Sequence, residues 1–208
     1  MLRILGKASS INVRKVLWTC AELGLPFARE DWGSGFQSTR QPDFLALNPN
    51  AMVPVLVDGD VVLWESNTIC RYLASRYGED RPLLPREPLA RARVEQWMDW
   101  QATELNSAWR YAFMTLVRTS PAHTDQSQVE HSIAQWNRHM GILEDQLAKT
   151  GAYAAGGDFS LADVVLGLSL NRWLMTPMGR PDYPALQAYA GLLRLRPGCR
   201  EFCMNGTA

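Results

Sequence analysis

Apolar and polar positions recur along this chain with two periods, and the switch between them divides it. Leu2 to Leu5 is a short apolar run of strand length. A polar loop of Gly, Lys, Ala and Ser residues spans Gly6 to Asn12. Val13, Val16, Leu17 and Cys20 then recur at helical spacing, with Ser10 or Asn12 as cap and Gly24 with Pro26 as stop. Phe27 to Trp32 reads as a second strand, and a short helix is expected near Asp43 to Leu47. Val53 to Val57 and Val61 to Trp64 are valine-rich runs flanking Asp58-Gly59-Asp60, the signal of a tight hairpin. Ser66 opens an amphipathic helix with Ile69, Leu73 and Tyr77 on one face and Gly78 placed for a left-handed cap.

Residues 79–87 carry Pro82 and Pro85 without periodicity and read as a linker. Beyond them the period is helical throughout. Val94, Trp97, Met98, Leu105, Ala108, Ala112, Phe113 and Leu116 predict one long helix from Leu89 to Val117. Val129, Ile133, Trp136, Met140, Leu143 and Leu147 predict its antiparallel neighbour. In Phe159-Ser160-Leu161-Ala162-Asp163-Val164, Ser160 and Asp163 have capping-box spacing and Phe159 with Val164 forms a hydrophobic staple. Tyr183-Pro184 and Arg196-Pro197 mark two closing helices. The expected architecture is an α/β domain over 1–78, of the βαβ plus ββα order of thioredoxin-like domains, and an all-α domain over 88–208.

Composition narrows the function. The chain has 208 residues, 47% of them apolar, enough for a substantial core. Its 21 basic and 21 acidic residues cancel, which argues against nucleic acid as a partner. No apolar run reaches the roughly 18 to 20 residues of a membrane helix, and the first residues run into a strand without a signal-peptide core, so a cytoplasmic location is expected. Cys20, Cys70, Cys199 and Cys203 fit that compartment as free thiols. Cys20 and Cys70 fall on apolar helix faces as small hydrophobes, and Cys199 with Cys203, one turn apart, lacks the further ligands of a metal site.

Two details exceed generic packing. Pro54 heads a strand, where it cannot donate a ladder bond. Glu65 directly precedes a helix N-terminus, where free N–H groups and Ser66 Oγ form a site for an anion while Glu65 holds a cation. A single α-amino acid group satisfies both.

Val53-Pro54 at a strand start followed by Glu65-Ser66 at a helix start resembles the glutathione-binding half of the glutathione S-transferases, and the Ser160–Asp163 box resembles the start of that family's core helix in its second domain. The resemblance implies a cis proline, a residue before it whose backbone faces the cysteinyl part of glutathione, and a Glu-Ser pair on the γ-glutamyl end. Carried over, the glutathione site is Asn50, Met52, Val53, Pro54, Glu65 and Ser66. Ser10 to Arg14 matches the Ser-x-x-x-Arg pattern of the serine-type classes, so Ser10 is the first candidate for stabilising the thiolate and Asn12 the second. No tyrosine lies between Met1 and Asp31, and the loop has no cysteine for a protein thiol relay. Met52 stands where several classes carry Gln or Lys, and Ala51 where Gly is usual. Trp109, Phe113 and Trp173 are the expected walls of a hydrophobic substrate pocket. Asp99 is placed to reach a partner subunit's glutathione or to serve the surface, and Arg71, Arg91 and Arg93 fall where the family dimerises. The expected activity is conjugation of glutathione, as substrate and without a further cofactor, to hydrophobic electrophiles by a homodimer. Two alternatives use the same scaffold: a glutathione-dependent disulfide or peroxide reductase, suggested by Asn12, and a non-catalytic binding protein, suggested by Met52 and Ala51.

Overall fold

The computed structural model describes residues 1–208. They form two compact units, Met1–Leu84 with Arg196–Thr207, and Pro85–Leu195.

The first unit is built on a four-stranded sheet of order β2-β1-β3-β4, from β1 (Leu2–Leu5), β2 (Phe27–Glu30), β3 (Val55–Asp58) and β4 (Val61–Trp64). β1 pairs in parallel with β2 and antiparallel with β3, which pairs antiparallel with β4, as a βαβ unit followed by a ββα unit requires. Helix α1 (Ile11–Leu23) follows β1, α2 (Pro42–Leu47) follows β2, and α3 (Ser66–Tyr77) follows the hairpin. Ile4, Leu5, Leu17, Trp18, Leu56, Ile69 and Leu73 are buried between sheet and helices. Each such side chain contributes on the order of 1.5–3 kcal/mol by leaving water. Gly24 ends α1 at φ 69°, in the left-handed conformation expected of a terminating glycine. The second strand is shorter than the Phe27 to Trp32 expected: Trp32 leaves the ladder for an isolated bridge with Gln37 and packs its ring on Phe44, 5.1 Å away.

Three expectations need correction here. Ser66 is the first residue of α3 and Glu65 its N-cap. Gly78 caps α3 at φ −93°, outside the left-handed region. It is glycine for another reason, since a Cβ there would stand 2.3 Å from the Ala74 carbonyl oxygen. The last residues also belong to this unit and not to the helical domain. Helix α9 (Pro197–Phe202) packs on α1, with Gly198 so close to Trp18 that a Cβ would lie 2.6 Å from the indole. Arg196 pairs with Glu22 at 2.6 Å, and the buried Arg14 donates to the carbonyls of Cys203 and Thr207.

The second unit is helical: α4 (Pro88–Trp100), α5 (Asn106–Leu116), α6 (Gln126–Thr150), α7 (Leu161–Met175) and α8 (Pro184–Arg194). The long helix expected from Leu89 to Val117 is interrupted by a π-helical turn, Gln101–Leu105, between α4 and α5. No glycine or proline announces it; the turn coincides with a buried Gln101, whose Nε2 donates to Ser169 Oγ of α7 at 3.1 Å. α7 is buried along nearly its whole length, so its apolar residues run all round it. At its start Asp163 is a buried hub. Its carboxylate accepts from Ser160 N–H (2.8 Å), the Ser160 hydroxyl (3.0 Å), Ala154 N–H (2.9 Å) and the Tyr189 hydroxyl (2.8 Å). Burial pushes this carboxyl above its ordinary range, with the four donors working against that rise. The first turn of α8 is capped from α6, where the Glu144 carboxylate accepts from Ala185 and Leu186 N–H.

Candidate active site

The groove of the first unit is assembled from four separate segments. Asn12 comes from the first turn of α1, Asn48 and Asn50 from the turn after α2, Met52, Val53 and Pro54 from the approach to β3, and Glu65 with Ser66 from the start of α3. These residues line one cavity of about 220 Å³. That is below the ~300 Å³ of a pocket enclosing a drug-sized molecule, as suits a ligand held along one edge. The Val53–Pro54 peptide is cis.

Glu65 is the least expected feature. It adopts φ 71° and ψ 107°, a conformation that side-chain-bearing residues rarely take. Such strain costs on the order of 1–3 kcal/mol and persists where surrounding structure enforces it. Its carboxylate caps nothing and bonds to no protein group, and the same is true of the Ser66 hydroxyl, which is 6% exposed. An acceptor charge, a hydroxyl and the free N–H groups of a helix start thus face one groove with none of them internally committed. The first turn of α3 is fastened to α1 by Lys15, a buried lysine whose Nζ donates to Asn67 Oδ1 at 3.2 Å. The hairpin beneath is fastened by Asp58, which accepts from the hydroxyls of Tyr77 (2.6 Å) and Tyr72 (2.8 Å) on α3. These bonds, that of Tyr77 foremost, hold the Asp58 carboxyl below its ordinary value.

On the opposite wall the two donor candidates separate. Ser10 is the N-cap of α1, yet its side chain makes no cap hydrogen bond, so the hydroxyl is not used by the helix. It is not among the residues lining the cavity, whereas Asn12 is, with its amide unbonded.

Asn48 was not singled out in the sequence, although it organises the site. It is 2% exposed, donates from Nδ2 to the Met52 carbonyl at 2.8 Å, and accepts on Oδ1 from both nitrogens of Asn50 at 3.0 Å. The side-chain nitrogen of Asn50 is thereby committed within the protein. The turn also holds Ala51 at φ 55°, which explains why a glycine suits that position. Met52 is 63% exposed and lines the cavity with an apolar side chain.

The expected hydrophobic walls lie in the second unit. Trp109 and Phe113 are interior: their rings meet edge to face at 5.4 Å, and the buried Arg172 guanidinium covers both, 4.5 Å and 4.1 Å from the ring centres. Both rings are thus buried and held by cation–π contact. Trp173 differs. It stacks on Tyr183 and, although 3% exposed, edges a cavity of about 540 Å³ with Leu170 and Arg180.

All four cysteines are buried. Burial pushes the Cys20 thiol up to about 12 and the Cys70 thiol up to about 11, so neither offers a thiolate near neutral pH. Any thiol chemistry at this groove belongs to a bound thiol.

A thioredoxin-like sheet whose third strand follows a cis proline, with a Glu-Ser pair at the following helix start and a helical second unit, defines the class of two-domain thiol-binding proteins. The chain belongs to the glutathione S-transferase family. Residues 9–76 match the glutathione S-transferase N-terminal domain and 126–191 the C-terminal domain. It is 37% identical over 206 residues to glutathione S-transferase GstB of Escherichia coli, covering 98% of each chain, and 38% identical over 165 residues to glutathione S-transferase 3 of Zea mays, covering 78% of this chain and 73% of that one. The structure of a theta class glutathione S-transferase from Xanthomonas axonopodis pv. citri with glutathione bound is similar, with a TM-score of 0.90 and 37% identity over 98% of this chain and 97% of that chain.

Proposed function

We propose that this protein is a glutathione transferase in which the groove holds glutathione by its γ-glutamyl end. The α-ammonium group pairs with Glu65, and the α-carboxylate accepts from Ser66 Oγ and the first N–H groups of α3. The cysteinyl part runs along Val53 toward the start of α1. There Asn12, the unused hydroxyl of Ser10 and the helix N-terminus stabilise the thiolate, lowering a thiol pKa that begins near 8.5 by about one to a few units. The thiol proton is released to solvent as the thiolate forms; its sulfur lone pair then makes a bond to an electrophilic carbon of an apolar substrate while the bond from that carbon to its leaving group breaks, the leaving group departing as an anion, chloride in the case of a chlorinated aromatic. The observation that carries this reading is the strained, unbonded Glu65 beside the unbonded Ser66 in one groove.

The same reading makes the protein a homodimer with a detoxifying role in the cytoplasm. Strand β4 supports the dimer, because it is a sheet edge with Val61, Val62 and Trp64 each 38–40% exposed. No helix is long and apolar enough to cross a membrane. Calorimetric titration with glutathione, paired with turnover of a chlorinated aromatic acceptor, tests the proposal. Saturable heat with turnover supports it; a folded protein giving no heat at millimolar glutathione rejects it.

A further inference from the structure

The second unit holds a cavity larger than the groove, lined by residues given no part in the reaction proposed above. It lies along α5 and α6, has a volume of about 680 Å³, and is lined by the π turn's Glu104, by Ser107, Ala108 and Tyr111 of α5, and by residues of α6 from Ser127 to His139. That volume is within the ~300–1,000 Å³ of small-molecule sites.

Its formal charge is one-sided, while its neutral polar groups both donate and accept. His139 is 7% exposed, and its Nδ1 lies 2.7 Å from the Gln135 carbonyl oxygen. A carbonyl only accepts, so Nδ1 carries the proton and Nε2 carries the lone pair. Nε2 has no protein partner, yet it is not among the buried polar atoms sealed off without one, so the cavity that His139 lines is where it is reached. Gln128 gives one of its two amide N–H groups to Asp125 and keeps the other with its carbonyl oxygen, the Gln135 amide is unbonded, and the Tyr111 hydroxyl accepts from Asp125 N–H and keeps its own proton. The Ser107 hydroxyl donates to the Thr103 carbonyl, and Ser132 donates to Ala108 and accepts from Ala112, so neither serine has its proton to give. Glu104 is the one formal charge in the lining, and no lysine or arginine is present. Tyr111 and His131 add flat ring surface.

One carboxylate, a buried acceptor at His139 Nε2 and no lysine or arginine favour a positively charged ligand that donates hydrogen bonds over an anion. We propose that this cavity is a binding site for small planar organic cations of the aryl amidine or guanidine type. The amidinium N–H groups are shared between the Glu104 carboxylate and the acceptors of α6, His139 Nε2 foremost, with the ring against Tyr111 and His131. Occupancy of this site is read without any turnover assay.

Benzamidine is the probe and benzoate its control of equal shape and opposite charge. His139 packs on Trp100 with ring centres 5.8 Å apart, so tryptophan fluorescence reports occupancy alongside calorimetry. Benzamidine is expected to bind saturably at low-millimolar concentrations or below, and benzoate at least about tenfold more weakly. Glu104→Gln, an exposed and fold-neutral change, is expected to weaken benzamidine about tenfold, and Ser107→Trp to block the cavity from its exposed rim. His139→Gln keeps an acceptor and is expected to retain more affinity than His139→Phe. Equal binding of benzoate and benzamidine, absence of benzamidine binding to the folded protein, or full affinity in both Glu104→Gln and Ser107→Trp would overturn the proposal.

Discussion

Two helix starts in this protein pair an acidic side chain with a serine, and they have opposite fates. At α7 the Asp163 carboxylate is wholly buried and its two oxygens accept four hydrogen bonds, two of them from Ser160. At α3 the Glu65 carboxylate is exposed, accepts none, and sits on a backbone at φ 71° beside a Ser66 hydroxyl that is equally unbonded. The first pair holds the fold together and the second leaves its bonding capacity unused. Satisfied polar groups in a core specify structure, and unsatisfied ones on a strained backbone mark where a ligand completes the set.

Breaking the first pair should cost the most. Asp163→Ala strands Ala154 N–H, Ser160 N–H and the Tyr189 hydroxyl in the interior, and at about 1–3 kcal/mol for each unsatisfied group the expected loss in urea unfolding is at least about 3 kcal/mol. Glutathione affinity of the molecules that remain folded should be unchanged. Breaking the second pair should do the reverse. Glu65→Gly removes the ligand's counter-charge and also relieves the backbone, so unfolding should show a gain of up to about 1 kcal/mol while glutathione binds at least about tenfold more weakly by calorimetry. A variant that lost stability and kept its affinity would show that Glu65 is structural.

The comparison also shows what a sequence can carry. Both acid-serine pairs stood out by spacing alone, as did the hairpin at Asp58-Gly59-Asp60 and the strand-helix order of the first unit, because these features are local. What separates the pairs is not local. Two of the four donors to Asp163 come from Ala154 and Tyr189, beyond its own helix start, and the first turn of α3 is fastened by a bond from Lys15 to Asn67, 52 residues apart in sequence. The aromatic stripe of Trp109 and Phe113 does not announce the Arg172 guanidinium that covers both rings, because that residue comes from another helix. The π turn at Gln101 and the docking of residues after Arg196 on α1 likewise depend on distant partners, Ser169, Glu22 and Trp18.

Two smaller tests sharpen the boundary between groove and scaffold. Ala51 occupies the left-handed region at φ 55°, so Ala51→Gly should stabilise the protein by at most about 1 kcal/mol, the steric relief being partly offset by chain entropy, with affinity unchanged. Asp58 tests the hairpin's fastening. Its folded pKa is depressed, first by the Tyr77 hydroxyl, so its contribution is present above the unfolded value of about 3.9 and is lost as pH falls through the folded value. Asp58→Asn should flatten the acid limb of stability against pH below that value and leave the neutral region nearly level.

The central claim is that the start of α1 activates a bound thiol. Ultraviolet difference spectra of the glutathione complex across pH give the thiolate fraction directly, at saturating ligand, for the native protein, Ser10→Ala and Asn12→Ala. Thiolate present near pH 7 in the native complex, with its midpoint raised by about one unit or more in at least one variant, is the result this account predicts. A bound thiol that ionises near 8.5 in all three proteins would contradict it.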